Sequence, residues 1–211
     1  MSNIVKIIDY GFGNLASVKN AIIFNGFKAE LCSNPNDIKN TSHLILPGVG
    51  SFESGISKLK NDGWDKSIKS FLSQNGYLLG ICLGMQLLFK FGTNEATGEI
   101  IKGLNLIDGS CEKFNLKKLY KLPLPHIGFN AVNHSDSKIW RNIKKNSSFY
   151  FVHSYRVKTI NQNKKYLLSY SNYGEDFISF IENDRIFGAQ FHPEKSHNCG
   201  LQLLNNFCSL K

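Results

Sequence analysis

The chain has 211 residues, 42% of them hydrophobic and 19% charged, enough apolar mass for a sizeable core and outside the composition of an intrinsically disordered chain. No apolar run is long enough to cross a bilayer, and the N-terminus enters a strand pattern without a basic leader or small-residue cleavage site, so a soluble, cytoplasmic protein is expected. The net charge of +9 raises a nucleic-acid binder, but the lysines are dispersed, with pairs only at Lys117–Lys118, Lys144–Lys145 and Lys164–Lys165 and no RNA-binding or helix-turn-helix signal; a solvated surface leaning toward anionic substrates or an acidic partner fits better.

Ile4–Asp9 reads as a short apolar strand. Leu15–Phe24 follows as a helix, with apolar Leu15, Val18, Ile22 and Ile23 and a stop at Gly26. Lys28–Ser33 and His43–Pro47 read as strands, the second closed by Pro47-Gly48. Phe52–Asn61 and Asp65–Ser73 carry helical patterns. Tyr77–Cys82 is an apolar strand, and Met85–Phe89 opens another helix. This alternation predicts a parallel sheet with helices on both faces. From about Leu106 to Phe191 strands dominate: Ile127–Val132, Phe149–Val157, Tyr166–Ser171, Phe177–Glu182 and Ile186–Phe191, separated by turns such as 172–174 and 182–184. A last helix, Gly200–Leu210, presents Leu201, Leu204 and Phe207 on one face. With no repeat or low-complexity linker, the expectation is an α/β fold over residues 1–211 as one domain: a mixed, mostly parallel central sheet flanked by helices, with an antiparallel section in the second half.

Five cysteines, Cys32, Cys82, Cys111, Cys199 and Cys208, form no C-x-x-C pair. Neither a disulfide framework nor a zinc site is suggested, and most should be free and buried. Cys82 stands apart. Gly80-Ile81-Cys82-Leu83-Gly84 follows an apolar strand and opens a helix, the G-x-nucleophile-x-G pattern with cysteine at its centre. Such a turn is so sharp that side chains two residues either side of the nucleophile would strike neighbouring backbone, and glycine removes them. The turn lifts the sulfur beyond the C-terminal ends of the strands, where open α/β sheets bind ligands. The start of the following helix favours a thiolate, and the Leu83 N–H would face a developing oxyanion. An isolated cysteine between glycines would more simply be a buried packing residue; the strand–turn–helix setting favours the nucleophile.

A cysteine nucleophile needs a base and a group to orient it. Of the six histidines, His43 in its apolar strand reads as structural, and His134 and His197 in polar stretches as exposed. His192 ends a strand and is followed by Pro193 and Glu194. If the segment is extended, positions i and i+2 point the same way, so Glu194 can hold one ring nitrogen of His192 while the other faces Cys82.

G-I-C-L-G-M-Q at 80–86 and F-H-P-E-K-S at 191–196 resemble the two signatures of class I glutamine amidotransferases. D-Y-G-F-G-N at 9–14, L-P-G-V-G-S-F at 46–52, P-H-I-G-F-N at 125–130 and Y-F-V-H-S-Y at 150–155 are similar to the glutaminase subunits of imidazole glycerol phosphate synthases, in the expected order over almost the whole chain. The resemblance implies that Cys82 attacks the side-chain amide of L-glutamine. His192 would protonate the leaving ammonia and then activate water against the thioester, while Glu194 holds His192. It implies oxyanion donors at Leu83 and Val49, and substrate contacts at Gly48, Gly50, Gln86, Glu95, His153 and Ser154. It further implies a heterodimer with a cyclase/synthase subunit, contacted near Tyr10, Gly11, Asn14, Phe129 and Lys195. That subunit would use the ammonia to form imidazole glycerol phosphate and AICAR in histidine biosynthesis, with no cofactor and no metal.

The chain departs from the family pattern at 90–97, where the usual acidic run is altered, and at Phe129, where tryptophan is usual. Both departures leave room for a paralogous subunit feeding a sugar amidotransferase of surface polysaccharide synthesis. A cysteine peptidase on a similar fold is opposed by H-P-E together with Gln86, and a basic binding module with a structural cysteine by the intact Cys, His and Glu set.

Overall fold

The computed structural model describes residues 4–159 and 166–211; the Lys164–Lys165 pair lies outside them. The first half winds as the alternation predicts. Strands β1 (Ile4–Ile8), β2 (Lys28–Cys32), β3 (His43–Leu46) and β4 (Tyr77–Ile81) run parallel, with Val5 opposite both Ala29 and His43 and Leu46 opposite Gly80. β3 and β4 are buried from end to end, as continuous apolar strands covered on both faces must be. The helices α1 (Leu15–Phe24), α2 (Phe52–Asn61) and α3 (Trp64–Ser73) connect them. Asn14 caps α1 by accepting from the Ser17 N–H at 3.3 Å, and Ser51 caps α2 through the Ser54 N–H at 3.2 Å.

After Cys82 the chain departs from expectation. The helix α4 (Leu83–Leu87) lasts five residues, and Phe89 lies not in a helix but in strand β5 (Phe89–Thr93). The cause is tertiary pairing. Phe89 sits opposite Ile107 of a strand with little apolar alternation, β7 (Ile107–Lys113), while β6 (Ile100–Lys102) pairs on the other side of β5. These strands, with β10 (Tyr155–Thr159), form a four-stranded sheet ordered β10-β7-β5-β6. A one-turn helix, α5 (Leu116–Leu119), precedes β8 (His126–Val132), which pairs antiparallel with β9 (Ser147–His153). The segment 149–157 is therefore two strands, β9 and β10, that change partner at Ser154.

The remaining strands, β11 (Leu167–Asn172), β12 (Asp176–Asn183) and β13 (Ile186–Ala189), extend the first sheet to seven, ordered β11-β12-β13-β4-β3-β1-β2. β11–β12 and β12–β13 are antiparallel, and β13 runs parallel to β4. The last helix, α6 (His197–Cys208), begins three residues before the expected Gly200. Two apolar clusters cover the sheet. One takes Val18 and Ile22 of α1 with Leu204 and Phe207 of α6, and the other takes Ile56 of α2 with Trp64 and Ile68 of α3. All five cysteines are free, and only Cys199 is not fully buried.

His134 corrects the expectation of exposure. It is buried and lies flat on Trp140, with centroids 4.6 Å apart and planes at 4°, because the polar segment around it folds over the core. His197 is exposed and His43 buried, as read. Among the described residues, no helix is long and apolar enough to cross a membrane.

The step that builds the site is the parallel pairing of β13 with β4. Ala189 lies opposite Ile81, and the Cys82 N–H donates to the Ala189 carbonyl at 2.7 Å. The two segments read as signatures thus leave the sheet side by side at its C-terminal edge.

Candidate active site

Cys82 occupies the left-handed region, with φ 53° and ψ −110°, a strained conformation for a residue with a side chain. Its neighbours explain how the turn closes. A Cβ on Gly84 would lie 1.8 Å from the Leu46 carbonyl oxygen, and one on Gly80 2.7 Å from the Gly84 oxygen. The sulfur is nearly buried. It donates to the Val152 carbonyl at 3.8 Å and accepts from Gln190 Nε2 at 3.8 Å.

His192 and Glu194 meet, though not as an extended segment. Pro193–Lys195 forms a turn of 3₁₀ helix with proline at its start, so the i, i+2 argument fails while its outcome holds. His192 Nδ1 lies 2.8 Å from Glu194 Oε1, and both side chains are almost fully buried. Ser196 fixes the turn: its hydroxyl donates to the His192 carbonyl at 2.6 Å and accepts from the Tyr150 N–H at 2.9 Å. Among the described residues, His192 Nε2 has no hydrogen-bond partner. Burial alone would push the imidazole down, but interaction with Cys82 and the bond to Glu194 outweigh it and hold His192 well above its ordinary value. The second ring nitrogen is left on the side where Cys82 lies.

The 47–50 loop faces the start of α4. Gly48 is packed too tightly for a side chain, since a Cβ there would meet the Tyr10 hydroxyl at 2.5 Å and Leu83 Cβ at 3.0 Å. The Leu83 N–H donates to the Gly48 carbonyl at 3.3 Å. A trans peptide turns the following N–H opposite to its carbonyl, so the Val49 N–H points away from Leu83.

A cavity of about 520 Å³ opens on Cys82 and brings together Val49, Gly50, Leu83, Gln86, Glu95, His153 and Ser154 from four separate segments. Gly48, in the same loop as Val49, does not line the cavity. Lys113 and Tyr155 line the cavity too, and neither was expected there; Lys113 ends β7, which carried no clear strand signal, and Tyr155 opens β10 where the expected strand 149–157 changes partner. Gln86 Nε2 donates to the Tyr155 carbonyl at 3.2 Å and to Gln190 Oε1 at 3.1 Å. Gln190 was also missed, although a lone glutamine in the apolar run Ile186–Phe191 was the available signal. Behind the cavity, His126 Nδ1 meets His153 Nε2 at 3.1 Å, and His153 Nδ1 donates to the Tyr155 carbonyl at 2.8 Å.

Of the residues expected near a partner, Gly11, Asn14, Phe129 and Lys195 are at the surface. Phe129 is 49% exposed and stacks on His197 at 5.0 Å. Tyr10 is the correction: it is 1% exposed, its ring turned inward against the 47–50 loop, where it supports that loop and offers no surface. Among the described residues, no group of three or more His, Cys, Asp or Glu side chains is arranged to hold a metal ion.

The family profile described as glutamine amidotransferase class-I matches residues 6–209. The chain belongs to this family. Among class I amidotransferases it is 45% identical over 205 residues to imidazole glycerol phosphate synthase subunit HisH 2 of Methanococcus maripaludis, covering 96% of this chain and 98% of that one. It is 40% identical over 220 residues to imidazole glycerol phosphate synthase subunit HisH of Helicobacter hepaticus, covering 98% of each. The fold is shared with PurLQS from Thermotoga maritima at a TM-score of 0.72 and 16% identity, over 98% of each chain.

Proposed function

We propose that this chain is the cytoplasmic glutaminase subunit of an imidazole glycerol phosphate synthase, acting as one amidotransferase domain. It would hydrolyse L-glutamine to glutamate and ammonia and pass the ammonia to a cyclase/synthase subunit that forms imidazole glycerol phosphate and AICAR in histidine biosynthesis. The observation that carries the chemistry is the placement of His192, with Nδ1 held at 2.8 Å by Glu194 and Nε2 left on the side of a cysteine that opens on the cavity. The names of the full-length relatives support the pathway.

In this reading Cys82 Sγ attacks the Cδ carbon of glutamine, its own proton having passed to His192. The carbonyl electrons move to oxygen. Collapse of the tetrahedral adduct expels nitrogen, which takes the His192 proton and leaves as ammonia, and a γ-glutamyl thioester remains. His192, now neutral, takes a proton from water as the hydroxide adds to the thioester. The second collapse returns the thiol and releases glutamate. Glu194 keeps the imidazole in register through both steps. Gln86, Glu95, His153 and Ser154 flank the substrate, with the Gly48–Gly50 loop across from them.

The oxyanion donors are the N–H groups of Leu83 and Val49. The first is occupied by the Gly48 carbonyl and the second is turned away, so the Gly48–Val49 peptide must rotate before the hole can act. A partner docked over Gly11, Asn14, Phe129 and Lys195 is placed to favour that rotation, which also keeps ammonia from being released unused.

The test is Cys82→Ala in complex with the cyclase subunit. Glutamine-dependent synthesis is expected to vanish while synthesis from added ammonia persists. Loss of both would mean that Cys82 supports the fold or the interface instead.

A further inference from the structure

Gln190 is wholly buried, at the point where the chain leaves β13 for His192. A buried primary amide is costly unless both ends are bonded, and here both are. Its Oε1 accepts from Gln86 Nε2 at 3.1 Å, and its Nε2 donates to Cys82 Sγ at 3.8 Å. The orientation of each amide follows from its partners. Gln86 Nε2 serves two acceptors, the Tyr155 carbonyl and Gln190 Oε1, so Gln86 Oε1 is turned toward the cavity. Because Gln190 Oε1 takes the Gln86 proton, the end of Gln190 that faces sulfur must be the donor. A sulfur with a lone pair and negative charge accepts such a bond far better than a neutral thiol does.

We infer that Gln190 is a positioning residue that joins the two halves of the site: it donates to the Cys82 sulfur and, through its other end, fixes the amide of Gln86 that meets the substrate. The inference rests on the glutaminase reading above. Backbone bonds keep the bridge rigid, since the Gln190 N–H donates to the Ser179 carbonyl at 2.9 Å and the Cys82 N–H to Ala189 at 2.7 Å. The sulfur, the imidazole and the substrate amide are thereby set by one short stretch of chain, 189–194.

The test compares Gln190→Met, of similar shape but with no polar end, and Gln190→Glu, which keeps an acceptor for Gln86 but loses the donor to sulfur. Two quantities are measured: the pH dependence of Cys82 alkylation by iodoacetamide, read on the Cys82 peptide by mass spectrometry, and steady-state glutamine turnover in complex with the cyclase. Both variants are expected to raise the alkylation midpoint by about one pH unit and to lower kcat by roughly ten- to a hundredfold. KM should rise in Gln190→Met, where the Gln86 amide loses one of its two anchors, and stay within about twofold of the parent in Gln190→Glu.

A variant that keeps the parent's thermal midpoint together with its alkylation profile and kcat would overturn the inference. So would a midpoint that moves only in Gln190→Glu, since that shift would belong to the new carboxylate rather than to a lost donor. If Gln190→Glu does not fold, Gln190→Met decides alone. A parent protein that alkylates normally but never turns over glutamine would defeat the glutaminase reading, and the alkylation profiles would still decide the contact between Gln190 and Cys82.

Discussion

His43, His126 and His153 are buried in mostly apolar surroundings, and each pays for it in proton affinity. Burial brings His43 down from 6.5 to about 4. It lowers His126 as well, which stacks on Tyr173 with centroids 4.0 Å apart, and His153, which also faces His126 and His192. The consequence for stability has a definite sign. Below the ordinary histidine range the unfolded chain binds protons that these folded imidazoles refuse, so stability falls as pH drops from 6.5 toward 4. His192 does not offset this. Its affinity is raised in the folded state, so its contribution is already complete below 6.5 and is lost only as pH climbs through the folded value. The thermal midpoint is therefore expected to fall by about 5 °C or more between pH 7 and pH 5. A midpoint flat across that interval would show that these rings are not held neutral. Cys82 was legible at this scale because its turn demands glycine on both sides. Gln190 was not, because one polar residue in an apolar run does not say what it touches, and only the register of β13 against β4 brings it to the sulfur.

At the scale of elements, the sharp turn from β4 into α4 places Cys82, and its tightness can be measured. Gly84→Ala would set a Cβ 1.8 Å from the carbonyl of Leu46, the buried last residue of β3, where nothing can give way without moving that strand. A loss of more than about 3 kcal/mol is expected, read as a shift in the denaturant midpoint. An unchanged midpoint would mean that the turn is looser than its geometry implies. The parallel half of the fold was readable because each buried strand is a continuous apolar run closed by Gly, Pro or a capping residue. The strands between Phe89 and Lys113 were not, since Gly92, Gly109 and Ser110 break the alternation and the pairing comes from residues distant in sequence. The turn at Pro193 shows the same limit. Histidine, proline and glutamate announce a linked pair, but whether the link is extended or helical is decided by the Ser196 hydroxyl, which ties Tyr150 to the His192 carbonyl.

Across the whole molecule, the second sheet and the β8–β9 hairpin turn an α/β layer into a cleft. The hairpin carries Phe129 on its outer side and ends at His153, beside the cavity, while the Gly48–Gly50 loop meets the cleft from the opposite direction. Surface and cavity are thus joined through short, rigid pieces of chain. In the glutaminase reading proposed above, the Leu83 N–H held by the Gly48 carbonyl would leave the chain alone able to take up glutamine but without a formed oxyanion hole. The most direct measurement is glutamine hydrolysis by the purified chain, alone and with the cyclase subunit and its ribonucleotide substrate. Slow turnover alone and acceleration on the order of tenfold or more in the complex are expected. A full rate in the isolated chain, or none with the partner bound, would contradict a glutaminase switched on by its synthase.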